Sequence, residues 1–158
     1  MPPYGHSTVN LNQPGTYVLL LHLPAEDAIR VGRLGRVELP AGFYAYVGSA
    51  LGPGGLKARL RHHQGQPARS HWHIDYLRRA THLVQIWISA QKVRREHDWA
   101  HLLSQVCGAV PVAAGFGTSD CDCCTHLFWW AEAPAVICFR RLVRTHFPAD
   151  APVDVVES

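Results

Sequence analysis

Two runs of β-forming residues, "TYVLLLHL" (16–23) and "GFYAYVG" (42–48), constrain this chain most. β-Branched and aromatic side chains favour extended backbone, and between the two runs "AIRVG" and "RVELP" flank a turn at Leu34-Gly35. Short strands separated by turn residues fold back on one another, so an antiparallel meander or hairpin is expected. The remainder is mixed. "GGLKARLRHH" and "HWHIDYLRRA" (71–80) read as helices, and "HLVQIWIS" (82–89) as a strand. "VRREHDWAHLLSQVCG" has apolar residues at 93, 99, 100, 103 and 106 and ends in Gly108, which predicts a helix. "AVICFRRLVRTHF" predicts a last helix or strand pair. The expectation is one α+β domain over residues 15–158 with a small antiparallel sheet of about three strands flanked by helices. Residues 1–14 read as a loose leader, and the part after about residue 130 as a C-terminal extension.

The chain has 158 residues, 47% hydrophobic and 17% charged, which suits one globular domain and argues against disorder. Its apolar runs fall well short of the ~20 residues that span a bilayer, so no membrane association is expected. "MPPYGHSTVNLNQPG" lacks both a basic and an apolar signal region, and five cysteines, an odd number, do not suggest a secreted disulfide framework. A cytoplasmic location is the default.

The net charge is +3, but Lys57 to Arg95 holds nine basic residues and one acid, Asp75. Such a segment suits a polyanion such as nucleic acid, or is simply a solvated basic surface. In the first helix Leu56 and Leu60 define a buried stripe with His63 a turn further on, while Lys57 and Arg61 point toward solvent. Arg59 and His63, four apart, lie at the edge of that stripe. Arg59 either snorkels to the surface or lines a cleft with His63. On the later helix Val93, Ala100, Leu103 and Cys107 form a row that includes Glu96. A carboxylate there is paired, protonated, metal-bound, or a solvated helix-start acid, and the helix alone favours the last. Tyr44 and Tyr46 share one strand face, and Tyr17 lies in the first strand.

The order of these residues is more specific than any one of them. "GTY" (15–17), "YVG" (46–48), an Arg-and-His helix and a later glutamate together resemble the GIY-YIG nuclease superfamily. "YVGSA…GGL…RL…H", "HWHIDYL" and "GFGTSDC" are similar to its small Uri-type branch, over roughly residues 15 to 130. Thr16 stands where an isoleucine is usual. The resemblance implies a GIY-YIG-like fold and metal-dependent hydrolysis of DNA phosphodiester bonds in repair- or recombination-type processing. It implies that Tyr46 activates the attacking water, that Tyr17 orients it, and that Arg59 neutralises the scissile phosphate with His63 as helper. Glu96 would be the single protein ligand of Mg²⁺ or Mn²⁺, a hard cation that favours carboxylate oxygen. Gly48 and the glycines after it would let backbone approach DNA, and Ser49, Lys57, Arg61 and His71 would add contacts to it.

"SDCDCCTH" offers Cys121, Cys123, Cys124 and His126 as soft-metal ligands, but it lacks paired C-x₂-C halves and argues against a structural zinc. With such a metal, the rival function is a non-catalytic nucleic-acid-binding module. A cysteine hydrolase using Cys121 or Cys123 with His126 and Asp120 ranks lower, since no oxyanion motif accompanies it. In "HWHIDYL", His71 and His73 either contact DNA or pack with Trp72, Ile74 and Leu77, and for His73 the packed reading is slightly favoured.

Overall fold

β1 (Gly15–Leu23) is apolar on both faces, which suits a strand covered on both sides rather than an edge. The computed structural model, which describes residues 9–65, 70, 72–118 and 125–157, places it near the middle of a sheet. In chain order follow β2 (Asp27–Val31), a 3₁₀ turn (Gly32–Leu34), β3 (Gly35–Leu39), β4 (Gly42–Ala50), α1 (Gly55–Gln64) and α2 (His73–Arg78). Then come β5 (His82–Ala90), α3 (Glu96–Ser104), β6 (Val110–Pro111), β7 (Leu127–Trp130), α4 (Val136–His146) and β8 (Asp154–Glu157).

The main sheet has six strands in the order β6-β7-β4-β1-β5-β8, every neighbouring pair antiparallel, and β2 and β3 form a separate two-stranded hairpin. The expected sheet of about three strands is therefore too small. The α+β class holds, but β6, β7 and β8 are added by segments of two to four residues. So short a segment carries no period of its own. It becomes a strand because an open sheet edge offers it hydrogen-bond partners.

Alternation along β1 divides the core. Tyr17, Leu19 and Leu21 face a cluster completed by Leu56 and Leu60 of α1, Ile74 and Leu77 of α2, and the β2–β3 hairpin. Val18 and Leu20 face the opposite side, under Trp99, Leu102 and Leu103 of α3 and Phe139 and Val143 of α4. The row expected on α3 is corrected here. Val93 precedes the helix and is half exposed, Cys107 is exposed, and the buried stripe is Trp99, Ala100, Leu102, Leu103 and Val106. The "VRR" run stays outside the helix, which starts at Glu96.

Residues on either side of these elements tie into them. Leu11 and Gln13 carbonyls accept the Lys57 and Leu56 amides at the start of α1, and Pro14 accepts from Gln91. α4 is a helix, and Phe139 stacks on Trp87 at 5.5 Å while meeting the edge of Trp99 at 5.0 Å. Phe139→Ala should therefore cost about 3–5 kcal/mol of unfolding free energy in urea titration, as for a fully packed core aromatic. A dispensable C-terminal appendage would lose almost none.

Candidate active site

The β1–β4 register sets Tyr17 opposite Gly48 and Leu19 opposite Tyr46, so both phenols stand on the α1 side of the sheet. β7 pairs with β4 only from Phe43 to Tyr46, with one further bond from the Val47 amide to the His126 carbonyl. Beyond it, Gly48 and Ser49 line a cavity of about 240 Å³ together with Tyr17, Tyr46 and Arg59. α3 packs on the other face of the sheet, yet Glu96, its first residue, lines the same cavity. The site thus forms where the neighbouring strand stops short.

Gly48 has a steric reason. A Cβ built there would lie 2.5 Å from the Tyr17 hydroxyl oxygen and 2.6 Å from its Cζ. The clearance beside this glycine holds the phenol, and Gly48 lines the cavity as well. Thr16, on the opposite side of β1, is fully buried with an unpartnered hydroxyl.

Behind Tyr17 lies His63, 1% exposed, its Nε2 sharing a 2.7 Å hydrogen bond with the Tyr17 hydroxyl. Burial, then the neighbouring His62, pushes the His63 pKa down to about 3, so the ring is neutral at physiological pH. His63 therefore acts on the cavity through Tyr17. Burial holds the Tyr17 phenol well above its usual pKa, with Tyr46 adding to the shift. Burial and then the Glu96 charge raise that of Tyr46 while Arg59 opposes them. Both phenols keep their protons at neutral pH.

Arg59 lines the cavity with its guanidinium 4.2 Å over the Trp72 ring, which fixes a planar cation at the wall. Glu96 is 8% exposed and is met by Arg94, whose Nε lies 2.8 Å from Oε1 and whose Nη2 also bonds Oε1; His97 Nε2 lies 3.7 Å from the same oxygen. Arg95, next in chain, grips Asp150 through Nε at 2.8 Å and Nη2 at 3.1 Å, which ties the start of α3 to the C-terminal segment. The hydrogen bonds from Arg95 hold the Asp150 carboxyl below its usual range.

The structure thus gathers Tyr17, Tyr46, Gly48, Ser49, Arg59 and Glu96 around one cavity. Lys57 and Arg61 are exposed on α1 outside the lining, and His71 lies outside the described residues. The basic segment is not one surface. Arg78 is 7% exposed and donates to the His63 and Thr81 carbonyls, and Arg95 is ion-paired, so neither is a free polyanion contact.

Sequence reasoning did not place Trp72, Arg94, His97, Gly117 or His126 at the site, and it weighed His73 as a DNA contact but favoured packing. The adjacency of Arg94 and His97 to Glu96 was the available signal for two of them. His126 had been weighed only with the cysteines, and Asp120, Cys121, Cys123 and Cys124 fall outside the described residues. It is 2% exposed with its ring 5.5 Å from His97, and burial lowers its pKa.

For a cation, two donor sets exist. Glu96 is the one carboxylate among the described lining residues, and it faces a cavity with room for water, which fits a hard ion. His62, His63 and Asp75 bring one ligand-type atom each within 4.8 Å of one another, though His62 Nε2 already donates to Asp75 at 2.8 Å and Asp75 accepts the Trp72 amide at 3.0 Å.

Two outcomes follow for this site. Gly48→Ala should cost about 1–3 kcal/mol by overpacking against the phenol. A double-mutant cycle with Tyr17→Ala should recover most of that cost, whereas simple additivity would count against the contact. His63 is neutral when folded but takes a proton in the unfolded chain below pH ~6.5, so stability is present above that pH and is lost as pH falls toward the folded value. Acidification from about pH 7 to about pH 5 should lower stability by about 2 kcal/mol through His63 alone. Urea titrations of wild type and His63→Gln at both pH values read the difference.

No curated protein and no solved structure matches this chain. A family model does, over residues 16–146, a span that runs from β1 to α4 and holds every described residue lining the cavity. The chain belongs to the family described as domain of unknown function DUF123.

Proposed function

We propose that this protein is a metal-dependent endonuclease that hydrolyses DNA phosphodiester bonds in the manner of the GIY-YIG nucleases its motifs resemble, in repair- or recombination-type processing in the cytoplasm. The observation that carries the reading is the composition of the one cavity. Arg59, Tyr17, Tyr46 and a single carboxylate, Glu96, meet there, with Arg94, His73 and Ser49 in the same lining. Donors around one acid suit a phosphate ester and a hard cation together. Among the described residues no helix is long and apolar enough to cross a membrane.

Glu96 would hold Mg²⁺ or Mn²⁺, which when bound supplies positive charge to the phosphate and offsets the upward push of the carboxylate on Tyr46. Arg59, held flat by Trp72, presents its fork to non-bridging phosphate oxygens. Tyr46 turns its hydroxyl toward the attacking water and could take a proton from it only as the phenolate, after losing its own proton to solvent against the raised pKa of the buried phenol. Tyr17 is fixed by His63 and Gly48, so it orients rather than titrates. Arg94, engaged on Glu96 here, is 47% exposed and free to follow a phosphate once the carboxylate binds an ion.

The test is a panel of branched, duplex and single-stranded DNA with and without Mg²⁺ or Mn²⁺. Wild type should cleave only with the ion. Glu96→Ala should abolish cleavage, and Arg59→Ala should reduce kcat roughly 100- to 1,000-fold while DNA binding and folding survive. Variants that cleave as well as wild type would place the active site elsewhere. A wild type that binds every substrate and cuts none would make the protein a nucleic-acid-binding module instead. Binding should weaken steeply with salt as phosphate contacts release counterions, and a flat response from about 50 to about 200 mM salt would count against a DNA partner.

A further inference from the structure

His73 opens α2 and lines the cavity, its ring 5.5 Å from Phe116. The Gly117 amide donates to its Nδ1 at 2.9 Å. That amide belongs to a tightly held turn. Gly117 has φ +69°, and a Cβ there would come within 3.1 Å of the Tyr46 ring and 3.3 Å of His126 Cβ. Only an unprotonated nitrogen can accept an N–H, so Nδ1 carries the lone pair and the single proton of the neutral ring is on Nε2. Burial lowers the His73 pKa, which favours the same neutral form. With Nδ1 engaged, Nε2–H is the ring group left for the cavity.

We propose that His73 is a catalytic residue of the nuclease site, a neutral imidazole whose Nε2–H donates to a non-bridging oxygen of the scissile phosphate. This rests on the nuclease reading and adds to it a neutral phosphate donor beside Arg59. The two differ in kind. Arg59 brings full charge, whereas His73 brings an aimed dipole that needs no ion pair and gains strength as charge builds on the oxygen. The geometry also excludes His73 as the acid that protonates the leaving oxygen. Giving up Nε2–H would leave an imidazolate, and holding a proton on Nδ1 as well would break the bond from Gly117.

Two substitutions separate donation from anchoring. In His73→Asn the side-chain oxygen takes the Nδ1 position and keeps the Gly117 bond, but no donor reaches the cavity. In His73→Gln the amide nitrogen takes the Nε2 position and keeps the donor. Measured on a DNA substrate that wild type cleaves with Mg²⁺, His73→Asn should lose roughly 100-fold in kcat with KM and thermal midpoint close to wild type. His73→Gln should stay within about tenfold of wild-type kcat. Equal kcat in all three proteins would overturn the assignment, and so would parallel losses of activity and thermal stability in both variants. A readout that needs no cleavage is the ring ¹⁵N spectrum of His73, which should show the Nε2–H tautomer and shift at Nε2 when a short DNA duplex is added without divalent ion. An Nδ1–H tautomer, or an Nε2 signal that DNA does not move, overturns it as well. A wild type that cuts nothing while Nε2 still shifts refutes the nuclease reading and leaves His73 a phosphate ligand without a catalytic role.

Discussion

The cavity depends on how Tyr17 is held. Its phenol lies across Gly48 on the neighbouring strand and ends on His63 of α1. Three elements are thereby fixed relative to one another at one hydroxyl, between two buried side chains. The strand pairing gives the phenol its height above the sheet, the missing Cβ gives it space, and the neutral histidine gives it a direction. α1 is then locked so that Leu56 and Leu60 are buried while Arg59, between them on the helix edge, opens on the cavity. The depressed pKa keeps His63 neutral across the neutral range, so its burial carries no charge there, although its Nδ1 is buried without a partner.

A second constraint acts at the sheet edge. β7 leaves β4 after Tyr46, and the gap lets the first residue of α3 line a cavity whose other walls lie on the far side of the sheet. A residue at a helix start is free to swing unless the chain before it is tied. Here Arg95 and Gln91 both bond Asp150, and the Ala151 amide returns a bond to Gln91. The C-terminal segment is thus part of what positions Glu96, although it contributes no side chain to the described lining.

The electrostatic balance is what gives the cavity a chemical direction. Burial raises both phenol pKa values, Glu96 adds to the rise and draws Arg94 onto itself, while Arg59 pulls the phenols the other way. Replacing Arg94 by a small hard cation would keep the carboxylate compensated and release an arginine beside the same opening. The proposed function would use this as an exchange of cations at one oxygen rather than a permanently buried ion pair, which would be rigid but inert.

Residue type and order in the sequence determined the strands of 15–50, the leucine stripe of α1 with His63 beneath it, and the grouping of Tyr17, Tyr46, Arg59 and Glu96. The strands and the stripe are local or strongly periodic signals, on which steric and hydrophobic rules act before the chain folds, whereas the grouping came from the resemblance in motif order. Tertiary structure decided the rest. "LFWW" and "DVVE" became strands because sheet edges received them, and Val93 left the buried row because its helix began three residues later. Gly48 lines the cavity, and it also seats a phenol from a strand about thirty residues away, which the sequence did not show. His73 reads as either a DNA contact or a packed histidine in "HWHIDYL", and nothing in that string shows that a glycine amide forty-four residues on will claim one ring nitrogen and leave the other to the cavity. Sequence fixes what each side chain is able to do, but protonation state and aim come from neighbours distant in the chain, because burial and hydrogen bonding are properties of the assembled fold.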